Sequence, residues 1–222
     1  MRLVCISDTH GMHQALGALP DGDMLIHAGD FSHSGSLADL GSFLHWFSAQ
    51  PHGYKILIAG NHDAQMMKNG ETLGLMIGGM QIDYLQNTGV VRGGLHIWGS
   101  PYTPKFGKWS FMQPDEGLAA YWSKIPNSCD VLVTHGPPHG VMDAVDRGVM
   151  MGADSGFEHT GSKTLALRLS DTSELRPRLH VFGHIHEGYG EFFDEATGIL
   201  CINASICDAS YRPVNKPIVL DV

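Results

Sequence analysis

Five polar clusters, each placed just past a short apolar run, constrain this chain more than any other feature. Residues 3–6 lead to Asp8-Thr9-His10, 24–26 to Gly29-Asp30, and 56–58 to Gly60-Asn61-His62-Asp63. Further on, 131–133 lead to Thr134-His135-Gly136 and 180–182 to Gly183-His184-Ile185-His186. Apolar runs this short, closed by Gly and polar residues, read as buried strands rather than helices. Strands pointing the same way would deliver all five clusters to one rim, where α/β proteins place their ligands. Three more runs, 95–98, 199–202 and 218–220, bring the strands to eight and imply more than one sheet.

Helical patterns lie between the strands. Residues 36–50 carry Leu37, Leu40, Phe43, Leu44 and Phe47 at helical spacing, and 64–78, 115–124 and 162–171 supply the rest. The first half alternates strand and helix; the second is richer in strands and turns. We therefore expect an α/β fold in which parallel strands come first and antiparallel ones later, in mixed sheets flanked by helices. Residues 143–162 read as a long loop and the most mobile part. The chain's 222 residues suit a single domain over 1–222, and 43% hydrophobic content supports a real core.

Charge and cysteine usage narrow the function. Lys+Arg 14 against Asp+Glu 23 gives −9, the wrong balance for stable nucleic-acid binding through phosphate neutralisation. Cys5, Cys129, Cys201 and Cys207 form no CxxC pair and are expected to pack as small apolar residues in a reducing cytoplasmic setting. No stretch has the length of a signal core or a membrane span, so no membrane association is expected.

Glycine, at 28 residues, and histidine, at 14, both exceed what a core requires, and together they suggest a loop-built metal site. Asp8 and His10 are two residues apart, as are His184 and His186, so an extended backbone would turn each pair to one face. With Asp30, Asn61 and His135 they make three oxygen-donor residues and four imidazoles. Mn, Fe or Zn accept this mixture, whereas Ca and Mg favour oxygen shells; manganese is the leading expectation. Seven ligands are too many for one tetrahedral ion. If Asp30 bridges, two divalent ions receive four protein ligands each, with room for a shared water.

Two dications against the carboxylates of Asp8 and Asp30 leave a residual charge of about +2, which favours hydroxide and an anionic substrate; ions about 3.5–4 Å apart can activate water and clamp an in-line displacement at phosphorus. The expected chemistry is metal-assisted phosphoester hydrolysis by a metal-bridging hydroxide. His62 and Asp63 are the expected catalytic residues: His62 stabilises charge or protonates the leaving oxygen, and Asp63 holds its ring. Asn61, His62 and His184 are the expected substrate-binding residues.

The ordered series D-x-H, GD, GNH[DE], H, GHxH resembles the calcineurin-like metallophosphoesterase signature. That resemblance implies a four-layer α/β/β/α sandwich of two mixed sheets, one metal on Asp8, His10, Asp30 and His186, and a second on Asp30, Asn61, His135 and His184. Over most of the chain, segments such as Cys5-Ile6-Ser7-Asp8-Thr9-His10, Gly99-Ser100-Pro101, Thr134-His135-Gly136-Pro137-Pro138 and Ile202-Asn203-Ala204-Ser205 are similar to the fetal-brain metallophosphoesterase subfamily. The subfamily in turn resembles class III cyclic nucleotide phosphodiesterases. The implied substrate is a small phosphodiester, a cyclic nucleotide among the candidates.

Alternatives remain open at this point. Phosphoprotein phosphatases resemble GD-x-x-D-R-G after the second motif, whereas this chain reads Gly29-Asp30-Phe31-Ser32-His33-Ser34-Gly35 and lacks the arginine there. A phosphomonoesterase, or a metal-binding regulatory protein without turnover, is also compatible with the ligand set. His27 and His180 are expected as hydrogen-bonded structural residues in strands. His33 and His139 have either a loop role or a reach to phosphate. Tyr102, Phe106, Trp109 and Phe111 either wall a base-stacking pocket or fill local core.

Overall fold

Each apolar run becomes a strand, and its alternation decides what the two faces bury. A computed structural model describes residues 1–146, 156–171, 175 and 177–222. The first half builds β1 (Arg2–Ile6), β2 (Met24–Ala28), α1 (Leu37–Ser48), β3 (Tyr54–Ile58), α2 (Ala64–Gly78) and β4 (Asp83–Tyr84). Next come β5 (Thr88–Arg92), β6 (Leu95–Ser100), β7 (Thr103–Pro104), β8 (Met112–Gln113), α3 (Asp115–Trp122) and β9 (Val131–Thr134). The remainder is β10 (Ala144–Asp146), β11 (Phe157–His159), α4 (Lys163–Ser170), β12 (Leu179–Phe182), β13 (Gly190–Asp194), β14 (Ile199–Asn203) and β15 (Ile218–Asp221).

Two large sheets result: a five-stranded one in the order β15-β1-β2-β3-β4 and a six-stranded one in the order β13-β14-β12-β9-β6-β5. On β2, Met24, Ile26 and Ala28 point into a core shared with Ile97, Val133, Val181 and Ile202 of the second sheet. Leu25 points the other way, onto Phe43 and Phe47 of α1 and Met66 and Ile77 of α2. On the second sheet, Trp98, Leu132 and Phe182 face Leu118 and Trp122 of α3 and Leu165 and Leu169 of α4. Period-2 alternation thus buries both faces of both sheets, and the layers stack α/β/β/α.

The helices start where capping dictates. Ser36 Oγ accepts from Asp39 N at the head of α1, and Ser162 Oγ accepts from Leu165 N at the head of α4.

Strand direction differs from the expectation of parallel strands first and antiparallel ones later. Both sheets are parallel at their centres, β1-β2-β3-β4 in one and β6-β9-β12-β14 in the other. The antiparallel strands β15, β5 and β13 lie at the edges. The second half keeps helical crossovers through α3 and α4, and a crossover returns the chain in the same direction. The expected loop over 143–162 also differs: β10 and β11 pair antiparallel within it. Residues 147–155 of that segment, Met150 and Met151 included, lie outside the described residues.

His27 and His180 are buried strand residues bonded through Nε2 to the hydroxyls of Thr9 and Thr134, at 3.0 and 2.7 Å. All four cysteines are buried and unpaired, and burial foremost pushes their thiols up to about 12. Among the described residues no helix is long and apolar enough to cross a membrane.

Candidate metal centre

The parallel strands β1, β2, β3, β9 and β12 all end at one rim, so the five clusters meet between the sheets. Backbone bonds lock the loops together: Asp8 N donates to Gly29 O, His10 N to Asp30 O and Gly11 N to Phe31 O, at 2.9, 3.0 and 2.9 Å. The pairs do not converge by extended backbone, as the two-residue spacing suggests. Asp8, His10, Asp30 and His184 instead have φ of 50°, 42°, 56° and 69°. Left-handed backbone is costly for residues with a Cβ and collects at functional sites held by their surroundings. Two glycines make room for it. A Cβ on Gly60 would strike Asp30 Oδ1 and the His135 ring, and one on Gly183 would strike Asp8 Oδ2 and Ser7.

Asp8, His10 and His186 form one cluster of possible ligand atoms, and Asp30, His135 and His184 form another. Asp8 divides its labour: Oδ2 accepts from His184 N at 2.9 Å and Ser205 Oγ at 3.0 Å, while Oδ1 faces His186 Nε2 at 3.4 Å and His10 Nε2 at 3.8 Å. Asp30 Oδ1 accepts from His62 N at 2.7 Å. Its Oδ2 lies 3.3 Å from His135 Nε2 and 4.0 Å from both His10 Nε2 and His62 Nε2. One oxygen therefore faces imidazoles of both clusters. Asn61 Oδ1, 3.0 Å from His135 Nε2, joins the second cluster.

The donors suit divalent cations. Asp8 Oδ1 is buried and accepts no hydrogen bond, an orphaned anionic oxygen inside the protein. His10 Nε2 and His186 Nε2 point at one another across 3.2 Å. His135 donates Nδ1–H to Ala28 O and His186 donates Nδ1–H to Asp208 O, both at 2.9 Å, which turns each Nε2 toward the centre. Backbone carbonyls commonly orient metal-ligating histidines in this way.

Charge balance without a metal falls on protons. Burial works to raise both carboxyls, but the facing imidazoles outweigh it and hold Asp8 and Asp30 well below the usual carboxylate range, chiefly His186 for Asp8 and His135 for Asp30. Burial works in the opposite sense on the two histidines, and the carboxylates override it, pushing His135 and His186 up to about 9. Burial foremost drives His10 down to about 4 and His184 to about 3. Two carboxylates and two imidazoliums make the metal-free centre formally neutral.

His62 reaches the centre, but Asp63 does not hold its ring. His62 Nδ1 donates to His33 O at 3.0 Å, and its ring stacks on Trp109 with centroids 4.4 Å apart and planes at 26°. The Asp63 carboxylate points into the loops: Oδ2 accepts from Asp30 N and Gly60 N at 2.9 and 2.8 Å, and Oδ1 from Ser32 N and Ser32 Oγ at 3.0 and 2.8 Å. Three of its donors come from the loop after β2 and the fourth, Gly60 N, from its own turn after β3. Burial first, then the Asp30 charge, pushes its carboxyl up to about 7 against those four donors. Asp63 joins the loop carrying Asp30 to the loop carrying Asn61.

The aromatic alternatives divide. Tyr102 stacks on Tyr121 and Phe111 is fully buried, so these two fill core. Phe106 and Trp109 are 57% and 50% exposed and lie against His184 and His62, so these two line the rim. His33 contributes its carbonyl to the centre's surroundings. His139 instead pairs with buried Asp143 at 3.6 Å, beside His159. Sequence reading missed Asp208 and Tyr211 altogether. Neither follows a strand-end motif, so no local signal marks them.

A sandwich of parallel-centred sheets, with carboxylates and imidazoles crowded at the strand ends, defines a metal-binding phosphoesterase centre. Residues 1–188 match the model of the Calcineurin-like phosphoesterase family, and the chain belongs to that family. The human Metallophosphoesterase domain-containing protein 1 is 37% identical over 247 residues, which span 100% of this chain and 71% of that protein. Probable rhamnogalacturonate lyase C of Emericella nidulans is 40% identical over 200 residues, 86% of this chain but 18% of that much longer protein. The crystal structure of TT1561 of Thermus thermophilus shares the fold, with a TM-score of 0.59 at 14% identity over 91% of this chain and 88% of that one. By family, the chain is a phosphoric-ester hydrolase that binds divalent metals.

Proposed function

We propose that residues 1–222 form one cytoplasmic domain that hydrolyses a small phosphodiester at a dinuclear metal centre. Asp8, His10, Asp30 and His186 hold one cation; Asp30, Asn61, His135 and His184 hold the other. The observation that carries this reading is Asp30 Oδ2, which faces His135 on one side and His10 on the other. Manganese is the first choice of metal, with iron or zinc compatible with the nitrogen-rich donor set. When bound, such ions supply Lewis acidity and water activation.

The chain's own groups do the rest. Uptake of two dications in exchange for the two imidazolium protons moves the centre from neutral to about +2, a charge that attracts a phosphodiester anion. His62 and Asn61 lie beside the phosphate position. With Nδ1–H tied to His33 O, the imidazolium form of His62 presents Nε2–H to the leaving oxygen and, on giving up that proton, becomes neutral imidazole. A diester is favoured over a monoester because half-exposed Phe106 and Trp109, against His184 and His62, give a second organic arm apolar surface at the rim. Parallel assays of a bis-aryl and a mono-aryl phosphate on protein of measured metal content test this. Preference for the monoester would replace it with a phosphomonoesterase reading, and bound metal without hydrolysis of either would make the centre regulatory.

A further inference from the structure

Tyr211 stands at the mouth of the centre without any motif to announce it. Its ring lies 4.8 Å from His10, 5.4 Å from His186, 6.0 Å from His33 and 6.2 Å from His62, centroid to centroid. It is nonetheless 44% exposed. One side of the ring meets the imidazoles and another meets solvent, as expected of a residue bordering the space where a substrate sits.

The surrounding loop holds the ring there. Tyr211 has φ of 58°, a left-handed backbone that an aromatic residue adopts only when its surroundings enforce it. Asp208 does so: Oδ1 accepts from Ser210 N and Arg212 N, both at 2.9 Å, and Oδ2 accepts from Arg212 Nε at 2.8 Å. The Asp208 carbonyl accepts both Tyr211 N at 2.8 Å and His186 Nδ1 at 2.9 Å. One carbonyl thus positions a metal-cluster histidine and the tyrosine together. Asp8, Asp30, Cys207 and Asp208 are the other ionisable groups near this ring.

Trp109 stacks on His62, and Phe106 lies 5.4 Å from His184 at the far end of the centre. Three half-exposed aromatic rings therefore border the centre, Tyr211 against His10 and His186, Trp109 against His62 and Phe106 against His184. A phosphodiester differs from a monoester in carrying a second organic arm, and these rings are the apolar surface available to the arms.

We propose that Tyr211 is a specificity-determining residue, packing the face of its ring against a flat arm of the phosphodiester. The proposal deepens the diesterase reading and rests on it. An aryl or heteroaryl group gains about 1–3 kcal/mol by stacking on an aromatic side chain, which corresponds to roughly 5- to 150-fold in kcat/KM.

The test uses manganese-loaded protein and two substrates that both release p-nitrophenolate: bis(p-nitrophenyl) phosphate and methyl p-nitrophenyl phosphate. Tyr211→Phe keeps the ring. Tyr211→Asn removes the ring but tolerates left-handed backbone, so the loop and His186 stay in place. Metal content and melting temperature of both variants are measured alongside. We expect Tyr211→Phe within about twofold of wild type and Tyr211→Asn at least about fivefold lower in kcat/KM on the bis-aryl ester, with metal content unchanged. Loss on the methyl ester as well assigns the ring to the leaving arm; loss on the bis-aryl ester alone assigns it to the retained arm. Unchanged kcat/KM in Tyr211→Asn on both substrates overturns the proposal. So does an equal loss in both variants, which would place the contact on the hydroxyl, and so does a loss that tracks lost metal, which would make Tyr211 structural. Failure of the diesterase reading looks different, because it shows in the wild-type protein alone, as hydrolysis of neither ester or as preference for a mono-aryl phosphate, before any variant is compared.

Discussion

Replacing Asp63 with asparagine separates the role found for it from the one its sequence position suggests. The carboxylate accepts four hydrogen bonds, from Asp30 N, Gly60 N, Ser32 N and Ser32 Oγ, and its residue is 1% exposed. An amide offers one oxygen, so one pair of donors must face an NH2 group. With the oxygen on Asp30 N and Gly60 N, Ser32 Oγ still has His62 O at 3.0 Å, and Ser32 N is stranded. A stranded buried donor costs about 1–3 kcal/mol, and losing a charged acceptor from the remaining bonds adds on the order of 1–2 kcal/mol. Because burial and Asp30 already disfavour the ionised form, about 2–4 kcal/mol is the expected total. The two loops carrying Asp30 and Asn61 would then lose their mutual register, and metal affinity should fall about 10- to 100-fold, as for other supporting partners of ligands. Urea unfolding with chelator present measures the first quantity and manganese titration the second. A variant within about 0.5 kcal/mol of wild type, the usual effect of a substitution that breaks no specific interaction, that also keeps its metal affinity would refute the clamp.

His62→Ala should lower kcat by about 10²- to 10⁴-fold while leaving metal content and unfolding midpoint unchanged; simultaneous metal loss would make His62 a ligand instead. Metal uptake should release protons: His135 and His186, raised to about 9, are charged at pH 7 and bind metal only when neutral. Affinity should therefore climb with pH and level off above about 9, and calorimetry in buffers of different ionisation enthalpy should report close to two protons released at pH 7. In the metal-free protein the same two groups contribute stability that is complete below their unfolded value near 6.5 and lost as pH rises through about 9, so its melting temperature should drop across that interval while the loaded protein's does not. Gly183→Ala should destabilise by about 1–3 kcal/mol or more and weaken metal binding, because its Cβ would strike Asp8 Oδ2 and Ser7; normal melting with normal metal content would show that the loop can yield.

What the sequence determined by itself is local. Apolar runs set where strands begin, Gly and polar residues set where they stop, and Asp8, His10, Asp30, Asn61, His135, His184 and His186 stand out because each follows such a stop. The four helices were legible as apolar stretches between the strands, whereas the serine caps of α1 and α4 are seen only in the structure. Tertiary structure decided how these parts meet. Asp8 and His184 are 176 positions apart and bond across the sheets, so no window of sequence contains their contact. Left-handed backbone at four of the proposed ligand positions, not an alternating strand, aims the side chains, and hydrogen bonds between loops help sustain it. The same cross-loop bonding turned Asp63 away from its neighbour His62 and toward Ser32, Asp30 and Gly60. Tyr211 and Asp208 border the centre from beyond the last motif, in a loop whose position depends on β14 and β15 lying in different sheets. A residue's type and spacing specify what it can bind, whereas the direction it faces depends on partners that come from distant parts of the chain.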